Sequence, residues 1–218
     1  MIKCAIFDLD GTLLDTINTI AYYVNLTLQK YGISPISIEE AKVFAGDGAR
    51  NLISRSLDSR GEYRSEEFFE RVFCEYKEAY DREPLYLTEV FPGIHELIEN
   101  LRSRGIRLAV LSNKPQSATE SVVSHFFNNE FDLVLGARDG VPLKPDPAGV
   151  DFALSQMGFT KEELIYVGDT STDMITGKSC GACITVGVLW GFRGKDELMR
   201  YGADLIVSEP HEISEAIK

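Results

Sequence analysis

Asp8 and Asp10 close an apolar run, Ile2-Lys3-Cys4-Ala5-Ile6-Phe7, and are followed by Gly11 and Thr12. A run of small and branched apolar residues reads as a strand buried on both faces of a parallel sheet. Side chains two apart on an extended segment point the same way, so both carboxylates can face one site. Gly11 lets the backbone turn. A carboxylate at a strand end with a second beside it suits a nucleophile and its acid/base partner. Alone, the pair also reads as a solvated acidic turn, so the other polar groups decide. Ser112-Asn113 follows the apolar Ile106–Leu111, Lys144 follows Arg138-Asp139-Gly140, and Gly168-Asp169-Thr170-Ser171-Thr172-Asp173 follows Leu164–Val167. Asp8, Asp169 and Asp173 together make a hard-oxygen site suited to Mg2+. Lys144 offers a point charge to a phosphoryl oxygen and offsets repulsion among the carboxylates, and Ser112 can donate to phosphate. In-line phosphoryl transfer needs mainly positioning and neutralisation, which this set provides. Taken singly, Lys144 reads as a solvated loop lysine, Ser112 as a helix cap and Asp173 as a charge near a helix start. Their joint placement favours the chemical reading.

The elements that must position these groups fall into two textures. From Thr16 to Pro84 the sequence has helical periodicity. Ile17, Ile20, Ala21, Val24 and Leu28 recur on one face before Gly32. Ser37-Ile38-Glu39-Glu40 matches a capping box ahead of a short helix ended by Gly46. Ala49–Leu57 and a stretch bearing Phe68, Phe69, Val72, Phe73 and Tyr76 complete the helical part. After Pro92-Gly93 strands and helices alternate. Strands are predicted at 106–111, 131–135, 164–167, 183–186 and 204–207, and helices at 94–104, 116–127, 147–157, 170–180 and 212–217. Such alternation implies an α/β fold, a doubly wound parallel sheet. Residues 1–15 and 85–218 form that core, and 16–84 form an inserted helical domain. Ligands of such a sheet bind at the carboxyl ends of its strands, where the polar sets all lie.

The 218 residues, 44% hydrophobic, suffice to bury a core without disulfides. A net charge of -12 disfavours nucleic-acid and anionic-membrane partners. No apolar run approaches the roughly 20 residues of a membrane span, so a cytoplasmic location is the default expectation. An acidic chain that handles an anionic substrate needs a local positive centre, and a metal ion is the natural candidate. Cys180 and Cys183 have C-x-x-C spacing across a helix end and a strand start, where buried small residues fit better than redox chemistry or metal binding. His95, His125 and His211 are scattered, which disfavours zinc.

These motifs resemble the haloacid dehalogenase superfamily of phosphohydrolases. Asp8-Leu9-Asp10-Gly11-Thr12 is similar to its DxDGT signature, and Ser112, Lys144 and Gly168–Asp173 are similar to its other three motifs, in the same order. The helical insert resembles the cap of the subgroup that includes phosphoglycolate phosphatases. The resemblance implies that Asp8 attacks phosphorus and forms an aspartyl phosphate, and that Asp10 protonates the leaving alcohol and then deprotonates water. It implies Mg2+ held by Asp8, the Asp10 carbonyl oxygen and Asp169, with Asp173 through water or as outer support. Ser112 and Lys144 would hold the phosphoryl group, with Thr12 and Asn113 as further substrate-binding candidates. Asp10 argues against the dehalogenases, which lack that acid/base aspartate.

Substrate choice is expected in the cap. Gly46-Asp47-Gly48-Ala49-Arg50 is the candidate loop, with glycines that let backbone approach a ligand and Arg50 to pair with a carboxylate. An ordinary turn with a solvated arginine is the other reading. Trp190-Gly191-Phe192-Arg193-Gly194 is taken as mainly structural. The expected activity is hydrolysis of a small phosphorylated metabolite, phosphoglycolate first, by a monomer or homodimer. The alternatives are a pyrophosphatase, a sugar-phosphate phosphatase or mutase, and, remotely, a receiver-like phospho-acceptor module.

Overall fold

Every residue of the first strand is buried, as its unbroken apolar run demands. The computed structural model describes residues 1–62 and 64–217. In chain order the strands are β1 (Cys4–Phe7), β2 (Leu14–Asp15), β3 (Glu89–Val90), β4 (Arg107–Pro115), β5 (Leu133–Ala137), β6 (Leu164–Gly168), β7 (Ile184–Val188) and β8 (Leu205–Val207). The helices are α1 (Ile17–Lys30), α2 (Ile38–Phe44), α3 (Ala49–Asp58), α4 (Glu66–Arg82), α5 (Ile94–Ser103), α6 (Gln116–Phe127), α7 (Ala148–Met157), α8 (Ser171–Cys180), α9 (Lys195–Arg200) and α10 (Pro210–Ala216).

The chain divides into two compact units, Met1–Asp15 with Val90–Lys218, and Thr16–Glu89. In the first, six strands form one sheet in the order β5-β4-β1-β6-β7-β8, and the pairs are parallel. β1 is central, and the chain runs to β4 on one side of it and later to β6 on the other. That reversal makes the carboxyl end of β1 a topological switch point, where open α/β sheets bind ligands. Below it, Ile6, Leu111, Leu135, Val150, Leu164 and Tyr166 share one buried cluster with Cys4 and Cys180. All four cysteines are free thiols, and Cys183, expected to be buried like Cys180, is exposed. Burial, with Glu163 adding to it, pushes Cys4 up to about 12, and burial likewise raises Cys180. Both are therefore packing groups rather than thiolates.

The second unit is helical. α1 buries Ile17, Ile20, Ala21, Val24 and Leu28, the predicted face, and packs against α2 and α4. The predicted capping box forms: Glu40 N–H donates to Ser37 Oγ at 3.1 Å, and Ser37 N–H donates to Glu40 Oε2 at 2.8 Å. This unit runs on to Glu89, past the predicted Pro84, because Thr19 Oγ1 donates to the Tyr86 carbonyl at 2.7 Å and lies 2.9 Å from Thr88 Oγ1.

Several elements differ from expectation, among them β2 and β3, which went unpredicted. β4 continues from Leu111 to Pro115 and carries Ser112 within it. β5 starts at Leu133 rather than 131, because Phe131 packs edge-on against Phe7 and Phe127 instead of entering the strand. α9 went unpredicted: it buries only Leu198, and six residues are too few to show a period.

Candidate active site

Asp8 lies just past β1, Ser112 and Asn113 near the end of β4, and Asp169 just past β6, so adjacent parallel strands deliver them to one edge. Lys144 comes from the segment after β5, and Asp173 from the first turn of α8. Lys144 Nζ bridges two carboxylates, at 2.8 Å from Asp8 Oδ1 and 2.8 Å from Asp173 Oδ1. Leu9 N–H also donates to Asp8 Oδ1, at 2.7 Å. Asp173 Oδ2 takes bonds from Thr170 N–H at 3.1 Å and Thr170 Oγ1 at 2.7 Å, which closes a capping box at the start of α8. Asp169 is held by Thr12 Oγ1 at 2.9 Å on Oδ1 and by Phe192 N–H at 2.8 Å on Oδ2.

Oxygens of Asp8, Asp169 and Asp173 lie within 4.8 Å of one another, and all three residues are buried. Burial first, then the Asp173 charge, push Asp8 up to about 7, although Lys144 pulls the other way. Burial, then Asp173 and Asp8, push Asp169 well above the carboxylate range. Burial works against the Lys144 ammonium but is outweighed by Asp173 and Asp8, so it stays protonated. One ammonium cannot neutralise three clustered carboxylates. A divalent cation with oxygen ligands would, and the all-oxygen donor set fits a hard ion such as Mg2+. A Cβ at Gly191 would overlap Asp169 and the Gly11 carbonyl oxygen, so only glycine lets that loop approach so closely.

The remaining candidates are placed as follows. The Asn113 amide bonds the Lys144 backbone in both directions, donating to its carbonyl at 3.1 Å and accepting from its N–H at 2.9 Å. The Thr12 hydroxyl serves Asp169. Asp10 stands apart from the trio, and its carboxylate pairs with Lys114 at 2.9 Å. In the helical unit Gly46 and Gly48 take positive φ values of 112° and 90°. Arg50 donates to both Glu70 oxygens, at 3.1 and 2.5 Å, and its guanidinium lies 4.9 and 5.0 Å from the ring centres of Phe69 and Phe73. Arg55 pins the same loop through the Phe44 carbonyl at 3.0 Å and the Asp47 carboxylate.

Two groups escaped the sequence reading. Lys114 sits two residues after Ser112, and that period-two spacing along an extended strand was the available signal. The backbone N–H of Phe192 carries none in the side-chain pattern. In the same loop the Trp190 indole N–H donates to the Thr12 carbonyl at 2.9 Å.

The family description haloacid dehalogenase-like hydrolase matches residues 5–186. A phosphoglycolate phosphatase of Cereibacter sphaeroides is 35% identical over 177 residues, covering 81% of this chain and 80% of that protein. Phosphoglycolate phosphatase 1 of Pseudomonas aeruginosa is 31% identical over 191 residues, covering 85% and 70%. A crystal structure from Lactobacillus delbrueckii subsp. bulgaricus, provisionally assigned as a phosphoglycolate phosphatase, is similar at a TM-score of 0.94 and 31% identity, covering 99% of this chain and 98% of that one. Among the described residues no helix is long and apolar enough to cross a membrane.

Proposed function

The chain belongs to the haloacid dehalogenase-like hydrolases and is a phosphoric monoester hydrolase, and from that premise we propose that it is a Mg2+-dependent phosphatase acting through an aspartyl phosphate, with phosphoglycolate as its leading substrate. The observation that carries the reading is the buried trio Asp8, Asp169 and Asp173 gathered within 4.8 Å beside the ammonium of Lys144.

Asp8 is the nucleophile. Both of its hydrogen-bonding partners among the described residues, Leu9 N–H and Lys144, engage Oδ1, which leaves Oδ2 to attack phosphorus. As the Asp8 oxygen–phosphorus bond forms and the ester bond breaks, Asp10 gives its proton to the leaving alcohol. Asp10 then takes a proton from water as the water oxygen bonds phosphorus and Asp8 is released. Ser112 and Lys144 orient the phosphoryl oxygens, and Asn113 holds the Lys144 backbone for that task. Mg2+, held by Asp8, the Asp10 carbonyl oxygen and Asp169 with Asp173 in support, would neutralise the charge that builds on the phosphoryl group.

Arg50, with Gly46 and Gly48 in the loop before it, is our candidate for choosing a carboxylate-bearing substrate. It already pairs with Glu70, so binding would exchange one carboxylate for another. The names of the relatives support phosphoglycolate. The test is a kcat/KM panel of phosphoglycolate, pyrophosphate and sugar phosphates with Mg2+. Phosphoglycolate should lead, and Arg50→Ala should lower its value by about tenfold or more, the loss of one charged hydrogen bond, while sparing carboxylate-free substrates. A panel led by pyrophosphate or a sugar phosphate would move the assignment to that substrate.

A further inference from the structure

We propose that Lys114 is the positioning residue that fixes the Asp10 carboxylate for proton transfer. The proposal deepens the phosphatase reading and rests on it, because it takes Asp10 as the acid that serves the leaving group.

Lys114 Nζ lies 2.9 Å from Asp10 Oδ1 and 3.2 Å from Oδ2. An ammonium that straddles both oxygens restrains the carboxylate in rotation as well as in place. The Lys114 side chain is 5% exposed and that of Asp10 19%. A lysine buried so deeply needs a charged partner near its head, because unpaired burial of the charge is costly. The two site lysines divide the work: Lys144 holds Asp8 and Asp173, and Lys114 holds Asp10.

The backbone explains how Lys114 reaches this position. The register of β4 on β5 shifts between Leu111 and Pro115, an irregularity of the kind that re-aims side chains beside active sites. Within it, Lys114 N–H donates to Ser112 Oγ at 3.2 Å, and Thr119 Oγ1 donates to the Lys114 carbonyl at 3.1 Å. A Cβ at Gly136 on the neighbouring strand would stand 2.7 Å from that same carbonyl oxygen, so glycine leaves the room this path requires. Asp10 lies in the turn beyond the end of β1, its backbone bridged to Leu14 of β2, and its side chain is the part that Lys114 restrains. Its proton must meet the bridging oxygen within hydrogen-bond reach, and small misplacement there costs large factors in rate.

The test separates positioning from general support of the fold. Lys114→Met should lower kcat/KM for an alkyl phosphate, which reports formation of the aspartyl phosphate alone, by about 10²-fold, within the usual share of general acid catalysis. Its effect on kcat/KM for p-nitrophenyl phosphate should be several-fold at most, because that leaving group departs without a proton. In an Asp10→Asn background Lys114→Met should add nothing further, the signature of two residues acting as one unit. Lys114→Gln, compared on the same two substrates, answers the question if the methionine variant fails to fold. Equal losses on both substrates, or additive losses in the Asp10→Asn background, would overturn the role of Lys114. Asp8→Asn and Asp10→Asn keep the failures apart. If Asp8→Asn stays active, or Asp10→Asn shows no preference for the better leaving group, the underlying mechanism fails, whatever Lys114 does.

Discussion

The indole N–H of Trp190 donates to the carbonyl oxygen of Thr12 across 2.9 Å, and the Thr12 hydroxyl in turn donates to Asp169 Oδ1 at 2.9 Å. The loop after β7 is thereby tied to the loop that carries Asp8 and Asp10. Phe192 N–H, from the same loop, grips the other Asp169 oxygen. Asp169 is thus oriented from both sides by groups whose own positions are fixed, the outer support that an oxygen ligand needs.

Trp190 is the single tryptophan of the chain, so this chain of bonds has an optical readout. Titrating the chelated protein with Mg2+ should change its intrinsic tryptophan fluorescence saturably, and Asp169→Asn should abolish the change. A response of equal size and midpoint in that variant would place the ion elsewhere.

Lys144 is worth more to folding than a surface lysine. Replacing it by Met leaves Asp8 and Asp173 buried without their shared counter-charge, and removing one partner from a buried ionic group typically costs about 3–5 kcal/mol. Urea unfolding of chelated Lys144→Met should show a loss of that order, reduced when Mg2+ is added. A loss below about 1 kcal/mol, the ceiling for most exposed pairs, would mean that the bridge is not formed.

The crowded carboxylates also set a pH dependence. Burial, then Asp173, push Asp8 from 3.8 up to about 7. Between those values the folded state holds more proton than the unfolded chain, so stability of the metal-free protein falls as pH rises through the window. The full penalty, on the order of a few kcal/mol, is present above pH 7 and absent below pH 4. A bound cation offsets it. The gain in Tm on adding saturating Mg2+ should therefore be larger at pH 8 than at pH 5. Equal gains would contradict the assignment of this cost to Asp8.

The helical unit carries the opposite sign. Arg60, through two hydrogen bonds of 2.7 Å, and then the Ser37 N–H hold Glu40 down to about 2. A lowered carboxylate contributes stability above its ordinary 4.5, and that contribution is lost as pH falls toward 2. Glu40→Gln should flatten the acid limb of the stability curve between those values. Ser37→Ala, which removes the capping oxygen, should cost about 1 kcal/mol at neutral pH. An acid limb unchanged in Glu40→Gln would show that the pair does not form in solution.

The sequence revealed the core of the site because each group follows an apolar run that reads as a strand, and parallel strands bring their ends to one edge. Asp8, Ser112 and Asp169 needed nothing more. Lys114 stayed hidden because a lysine before proline at a strand end reads as solvated. Its period-two spacing from Ser112 hints at a shared face, but its burial beside Asp10 depends on tertiary packing around the shifted register of β4 and β5. The pairing of Arg50 with Glu70 was invisible for a related reason, since it depends on how α3 packs against α4. The Phe192 N–H is a backbone group, and its role follows only from where Gly191 lets the chain pass. The sheet itself was legible because its strands are buried on both faces and read as continuous apolar runs.

In the proposed mechanism Asp8 accepts phosphorus covalently. Acid quenching during turnover, borohydride reduction of any acyl phosphate, and peptide mass spectrometry test it directly. Position 8, and no other aspartate, should be reduced to homoserine, and Asp8→Asn should give neither turnover nor product peptide. Reduction at a different aspartate, or full turnover by Asp8→Asn, would contradict it.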